Sequence, residues 1–175
     1  LDPNSILPYP RHKFRPYSEE EMQELQNSIA EQGVLQNAIV RRNADGQYEM
    51  IAGHNRQQAC IHLGIKLPCE VRELDDDAAD IVMVDSNHYR VVTLFEQARS
   101  QRLKYEAMCR QGKRSDISGD IGKLTLEKMA ENEEASASTL YRIIRLGYLI
   151  DELLQFVESR RIDKMVGVTL SHLSE

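Results

Sequence analysis

"YEMIAGHNRQQACIHLG", residues 48–64, decides how the front of this chain folds. Alternating and then continuous apolar residues run to Ala52, a glycine follows, and five polar residues precede a second apolar set at helical spacing. The pattern reads as a strand that stops at Gly53 and a helix over 55–63, closed by Gly64 as its C-cap. Gly53, His54, Asn55 and Arg56 therefore crowd the start of a helix. First-turn amides and a guanidinium make an anion cradle there, and a phosphate is the ligand such a cradle suits. Two other readings stay open on these residues alone: a plain strand-to-helix turn with a surface arginine, or catalysis by His54 or Cys60. Cys60 falls on the buried face of the helix with no evident base, which disfavours thiol chemistry.

Working outward, Ser18 caps a helix whose first turn holds Glu19, Glu20 and Glu21, where the helix dipole favours carboxylates. Met22, Leu25, Ile29 and Ala30 form its apolar stripe, and Gly33 ends it. "VLQNAIVRR" (34–42) and "QYEMIA" (47–52) flank the tight turn "NADG", which makes them a hairpin. "PCEVREL" (68–74) is a further strand. "DDDAADIVMVDSNHY" (75–89) is an acid-capped helix with Ala78, Ile81, Met83 and Val84 inward. Residues 1–17, with Pro3, Pro8, Pro10 and Pro16, read as irregular. This front is expected to be an α+β domain over 1–92, with a small mixed sheet and helices.

From Thr93 the pattern turns helical throughout, and 93–175 is expected to be an all-α domain. One helix ends at Gly112, and "KRSDISGDIG" (113–122) reads as a polar loop. Thr125 then caps "LEKMAENE", with Leu126, Met129 and Ala130 inward. Glu134, Ala135 and Ser136 make a short turn. Ser136 or Ser138 caps a second helix with Leu140, Ile143, Ile144 and Leu146 as its apolar stripe. Two short helices joined by a tight turn over about 125–146 is the helix-turn-helix pattern. Its exposed second-helix residues, Ala137, Ser138, Thr139, Tyr141, Arg142 and Arg145, together with Ser136, suit phosphates and base edges of double-stranded DNA. Glu133 and Glu134 oppose that reading, because carboxylates repel phosphates.

The 175 residues are 41% hydrophobic and 29% charged, which is ordinary for a globular chain. No apolar run approaches the ~20 residues of a membrane span. Three cysteines without CxxC spacing point away from a disulfide framework or zinc site, and toward a cytoplasmic location. The net charge of −6 is unevenly spread. Residues 1–98 hold 9 Lys and Arg against 16 Asp and Glu, whereas 99–175 hold 13 against 12. An acidic front and a near-neutral rear suggest two modules with different partners, and a local basic face on the rear can still hold phosphates.

The ordered set of motifs resembles the ParB family of chromosome- and plasmid-partition proteins, over essentially the full chain. "GVLQ" (33–36) is similar to the family's "G-(V/I/L)-(I/L)-Q-P", and "AGHNRQQA" (52–59) to "x-G-(E/H)-R-R-x-x-A". "SNHYR" (86–90) looks like "E-N-(L/I)-Q-R", and "VTLFEQA" (92–98) like "L-(T/N)-P-I-E-E-A". The resemblance implies a ParB/sulfiredoxin-like N-terminal domain that binds CTP with Mg2+, and a helix-turn-helix that binds a centromere-like DNA site. It further implies that nucleotide binding closes a homodimeric clamp on DNA, that CTP hydrolysis reopens it, and that a partition ATPase is a partner. Carried over by position, Gly53 and Arg56 hold the triphosphate, with His54 and Asn55 in the same box. Asn87 helps coordinate Mg2+, Arg90 meets phosphate, and Gly33, Val34 and Gln36 lie near the base and sugar. Asn55 replaces the first arginine of the family's pair, Ser86 stands where Glu is usual, and Tyr89 replaces Gln. Related folds also serve a nucleotide-using small-molecule kinase or nucleotidase, transcriptional regulators without CTP turnover, and sulfiredoxin. In the last, a catalytic cysteine stands where this chain has His54.

Overall fold

The computed structural model describes residues 1–88, 90, 92–114, 120–133 and 135–173. The chain forms two compact units, Leu1–Ser86 and Asn87–Glu175.

In the first unit the "NADG" turn closes a hairpin of β2 (Ala38–Arg42) and β3 (Tyr48–Ala52). Asn43 Oδ1 accepts from the amides of Asp45 at 3.1 Å and Gln47 at 2.9 Å, which pins the register with Arg42 opposite Tyr48. β4 (Cys69–Val71) pairs in parallel with β2, and β1 (Leu7–Pro8) in parallel with β3, so the mixed sheet runs β1-β3-β2-β4. α1 (Glu19–Gln32) carries a complete capping box between Ser18 and Glu21. α2 (His54–Leu63) and α3 (Asp76–Asp85) complete the unit. Ile6, Ala38, Val40, Met50, Cys60 and Leu67 form its core.

Four expectations change here. Residues 1–17 are not irregular: they supply edge strand β1 and buried Ile6, Tyr9 and Phe14. A proline is admissible in β1 because an edge strand needs only one row of hydrogen bonds. The second strand starts at Ala38 rather than residue 34, leaving Leu35 75% exposed. Ala30 of α1 is exposed. On α3, Met83 and Val84 are buried as expected, but the rest of the inward face is Asp77, Ala79 and Asp80, and Ala78 and Ile81 are only half-buried. Asp80 can be fully buried because Tyr9 Oη donates to it at 2.7 Å and Arg11 Nη1 at 2.6 Å. Burial beside that carboxylate pushes the Tyr9 phenol above its ordinary range.

The second unit is helical: α4 (Leu94–Arg114), α5 (Ile121–Asn132), α6 (Ala137–Leu146), α7 (Asp151–Glu158) and α8 (Lys164–Leu170). Ala98, Leu146, Leu149, Leu154, Val157 and Val168 form one core cluster, and Met129, Ala130, Leu140 and Ile144 another. α4 does not stop at Gly112 but continues through Arg114. α5 starts four residues before the expected cap: Asp120 accepts from the Lys123 amide, and Thr125 is buried within the helix. Residues 115–119 of the expected polar loop lie outside the described residues, as do Tyr89 and Glu134. Among the described residues no helix is long and apolar enough to cross a membrane.

Candidate functional site

Gly53 is the N-cap of α2, with φ +113°. A side chain at this position is excluded twice: its Cβ would lie 2.9 Å from Ala38 Cβ, and left-handed backbone is costly for any residue with a Cβ. No side chain caps α2. Its first-turn amides have no partner within the helix and can serve a group brought from outside. The residues that follow are tied to their surroundings. The Asn55 side chain accepts from the Tyr17 amide at 3.2 Å. Arg56 Nη1 donates to the carbonyl of Gln36 and, at 3.0 Å, to that of Asn37. Arg56 is therefore a staple between the glycine box and the segment after α1, and it brings together two of the residues singled out in the sequence, Gln36 and Arg56. Burial holds its guanidinium below the ordinary arginine range. Gly33, also singled out, is the C-cap of α1, and Val34 packs on the core beyond it.

His54 shows a contact that sequence spacing could not reveal. Its ring stacks on His12, with centroids 3.7 Å apart. His54 Nε2 is buried and has no hydrogen-bond partner. Desolvation, with His12 beside it, lowers the His54 pKa to about 3, so the imidazole is neutral at physiological pH. Next to this pair lies a cavity of about 490 Å³ whose lining includes His12, Phe14, Pro16, His54, Asn55 and Gln58 and no Asp, Glu, Lys or Arg. It can take a neutral, partly polar group beside an anion site. Cys60 is fully buried and burial pushes its thiol up, which leaves it inert. Asn87 and Arg90 belong to the second unit, where the Arg90 amide donates to the Asn87 carbonyl at 3.1 Å. Among the described residues no cluster of His, Cys, Asp and Glu forms a metal site.

In the second unit Ser136 caps α6, its Oγ accepting from the Thr139 amide at 3.1 Å. The same hydroxyl donates to Thr139 Oγ1 at 2.8 Å and lies 3.3 Å from Ser138 Oγ. Ser138, Thr139, Tyr141 and Arg142 are exposed along the first turns of α6. Three residues differ from expectation. Ala137 packs against the Met129 and Leu140 cluster, and Ile143 is only half-buried. Arg145 is half-buried: Nη2 donates to the Ser171 carbonyl at 2.6 Å, and its guanidinium lies 5.0 Å from the Tyr148 ring centroid. As the penultimate residue of α6, it turns toward Ser171, the residue after α8, instead of outward.

Residues 1–104, more than half of the chain, match the model of the ParB N-terminal domain. The chain belongs to the ParB family. It is 32% identical over 160 residues to the chromosome-partitioning protein Spo0J of Thermus thermophilus, covering 90% of this chain and 54% of that protein. It is 33% identical over 154 residues to the chromosome-partitioning protein ParB of Caulobacter vibrioides, covering 86% of this chain and 45% of that one. The chain thus spans about half the length of these curated ParB relatives. Among solved structures it is similar to C-terminally truncated ParB from Caulobacter crescentus complexed to the centromeric parS site. That match has a TM-score of 0.61 and 26% identity, and it covers 97% of this chain and 82% of that one. The mixed sheet with its helices is the ParB N-terminal architecture, and the rear half is helical in keeping with the same family.

Proposed function

We propose that this chain is a nucleotide-gated DNA-binding partition protein whose first unit takes CTP and whose second unit takes double-stranded DNA. The observation that carries the reading is the start of α2. A left-handed glycine, an uncapped first turn and an arginine tied to the preceding segment lie inside a ParB-family domain. Gly53 lets a triphosphate approach the first-turn amides, and Arg56 supplies positive charge. In the second unit, Asn87 would offer an oxygen donor suited to Mg2+ and Arg90 a cation for phosphate. His54 and Asn55 form the wall of the box, and Gly33, Val34 and Gln36 border the base and sugar. When bound, the nucleotide would supply the negative charge that the first-turn amides and Arg56 hold between two copies of the first unit. The arginines and amides do the binding and orienting in this scheme.

α5 and α6 act as a helix-turn-helix, with Ser136, Ser138, Thr139, Tyr141 and Arg142 toward DNA and Arg145 setting the end of α6. Phosphate contacts from hydroxyls and the helix start fix the register, and Arg142 reads base edges or phosphates. The protein works as a homodimer on a chromosome or plasmid in the cytoplasm, with a partition ATPase as a further partner.

One experiment tests both halves: CTP binding and hydrolysis are measured with and without DNA fragments from the protein's own replicon. CTP binding that responds to one specific fragment supports the reading. Neither nucleotide nor specific DNA binding would leave only the fold.

A further inference from the structure

Lys104 and Gln101 lie one turn apart on α4, and both point at the residue that closes α5. Lys104 Nζ donates to Glu133 Oε1 at 2.7 Å, and Gln101 Nε2 to Glu133 Oε2 at 2.9 Å. The side chains of Lys104 and Glu133 are only 4% and 8% exposed. Glu133 is the C-cap of α5, and Ser136, the N-cap of α6, follows three residues later. A buried ion pair is a weak source of stability, because desolvating two charges offsets most of their attraction. Its position gives it a different use. It clamps the α5–α6 connection onto α4 at the entry to α6.

The exit of α6 is held by the same helix. Arg99 Nη1 donates to the Gly147 carbonyl at 2.5 Å and Nη2 to the Leu149 carbonyl at 2.7 Å, while Arg102 Nη1 reaches the Gly147 carbonyl at 3.1 Å. Gly147 permits this approach, because a Cβ there would lie 2.8 Å from Arg102 Cβ and closer still to the Ala98 carbonyl. α4 thus grips α6 at both ends, and the front grip is the buried charge pair. The pairing also removes the objection that Glu133 would repel DNA, since both of its oxygens are engaged.

We propose that Lys104, Gln101 and Glu133 are positioning residues for DNA recognition, setting the angle at which α6 presents Ser138, Thr139, Tyr141 and Arg142. The inference rests on α5 and α6 being the DNA-binding pair. The test uses the full chain and the duplex that the wild type selects from a random-sequence library, with an unrelated duplex at low salt as the non-specific probe. The double variant Lys104→Met/Glu133→Leu replaces the pair with apolar groups of similar size. Its urea midpoint is expected to fall only modestly, because losing the pair is nearly neutral while Gln101 Nε2 loses its acceptor. Its affinity for the selected duplex is expected to fall at least tenfold, with non-specific affinity unchanged. A folded double variant that keeps the wild-type ratio of specific to non-specific affinity overturns the proposal. Should the double variant fail to fold, Gln101→Leu, which spares the ion pair, carries the same test. A severalfold loss of specific affinity alone supports the proposal, and an unchanged ratio overturns it. If the wild type selects no duplex, the DNA reading of α5 and α6 itself fails and the proposal falls with it, an outcome distinct from a defect confined to the variants.

Discussion

The starts of α2 and α6 are built on opposite principles, although both are expected to face phosphate. α2 begins at a glycine with no side-chain cap, and its polar neighbours are bound inward: Asn55 to the Tyr17 amide, Arg56 to two carbonyls, His54 to the His12 ring. α6 begins at a serine that caps it, and the following hydroxyls and Arg142 stand exposed. An uncapped, enclosed helix start holds one anion of fixed shape, since its amides are left for the ligand and its wall is set by packing. A capped, displayed start leaves its exposed side chains, rather than its amides, for a partner surface. The cradle proposed for the nucleotide is thus carved by backbone, whereas the surface proposed for DNA is laid out by side chains.

Breaking the backbone side of this contrast has the largest effect. Gly53→Ala introduces both left-handed strain and overlap with Ala38 Cβ. It should destabilise the first unit by on the order of 2–4 kcal/mol and abolish CTP binding, read by chemical denaturation and calorimetric titration. Unchanged stability would show that the α2 start is freer than its geometry implies.

The buried imidazole comes next. The folded His54 pKa is about 3, against an ordinary value of 6.5. The unfolded chain therefore binds the extra proton first, and stability is full above pH 6.5 and declines as pH falls toward 3. The slope approaches about 1.4 kcal/mol per pH unit, so pH 4.5 should cost about 2–3 kcal/mol relative to pH 7.5. His54→Leu should flatten that part of the profile, measured as urea midpoints across pH. An equally steep profile in the variant would assign the acid sensitivity elsewhere.

Arg56→Ala sharpens the comparison between the units. It removes the staple to Gln36 and Asn37 and one phosphate partner, so CTP affinity should drop roughly tenfold or more. The second unit should keep its wild-type DNA affinity in the absence of nucleotide. Retained CTP affinity would remove Arg56 from the triphosphate site.

The smallest change tests the displayed helix. Ser136→Ala deletes the α6 cap and should lower the stability of the second unit by about 1 kcal/mol, with a modest loss of DNA affinity by fluorescence anisotropy. A stability loss well above that value would mean that Ser136 does more than cap.

Much of this was legible in one dimension. The hairpin about "NADG", the Ser18 capping box, Gly53 and Gly64 at the two ends of α2, and the apolar stripe of α6 follow from turn chemistry and periodicity, which are local. The misreadings share a cause. Residues 1–17 looked irregular because prolines mask strand pairing, yet β1 gains its partner β3 from some forty residues away. Asp80 was not among the residues expected inward on its helix, and is core because Tyr9 and Arg11 come to meet it. The α5 start was misplaced because Thr125 and Asp120 are both acceptable caps, and only packing selects between them. His12 left no signal at all, since nothing in its spacing from His54 forecasts a stacked pair.

By itself, then, the sequence determined the element types, the glycine box and the family, because each depends on residues adjacent in the chain or on ordered motifs. Tertiary structure alone decided which polar groups are engaged. Arg56 donates to main-chain carbonyls some twenty residues before it, Arg145 turns to Ser171, and Lys104 neutralises Glu133. A charged side chain keeps its formal charge wherever the chain goes. Whether that charge is offered to a ligand or consumed inside the protein depends on long-range partners that no local pattern encodes.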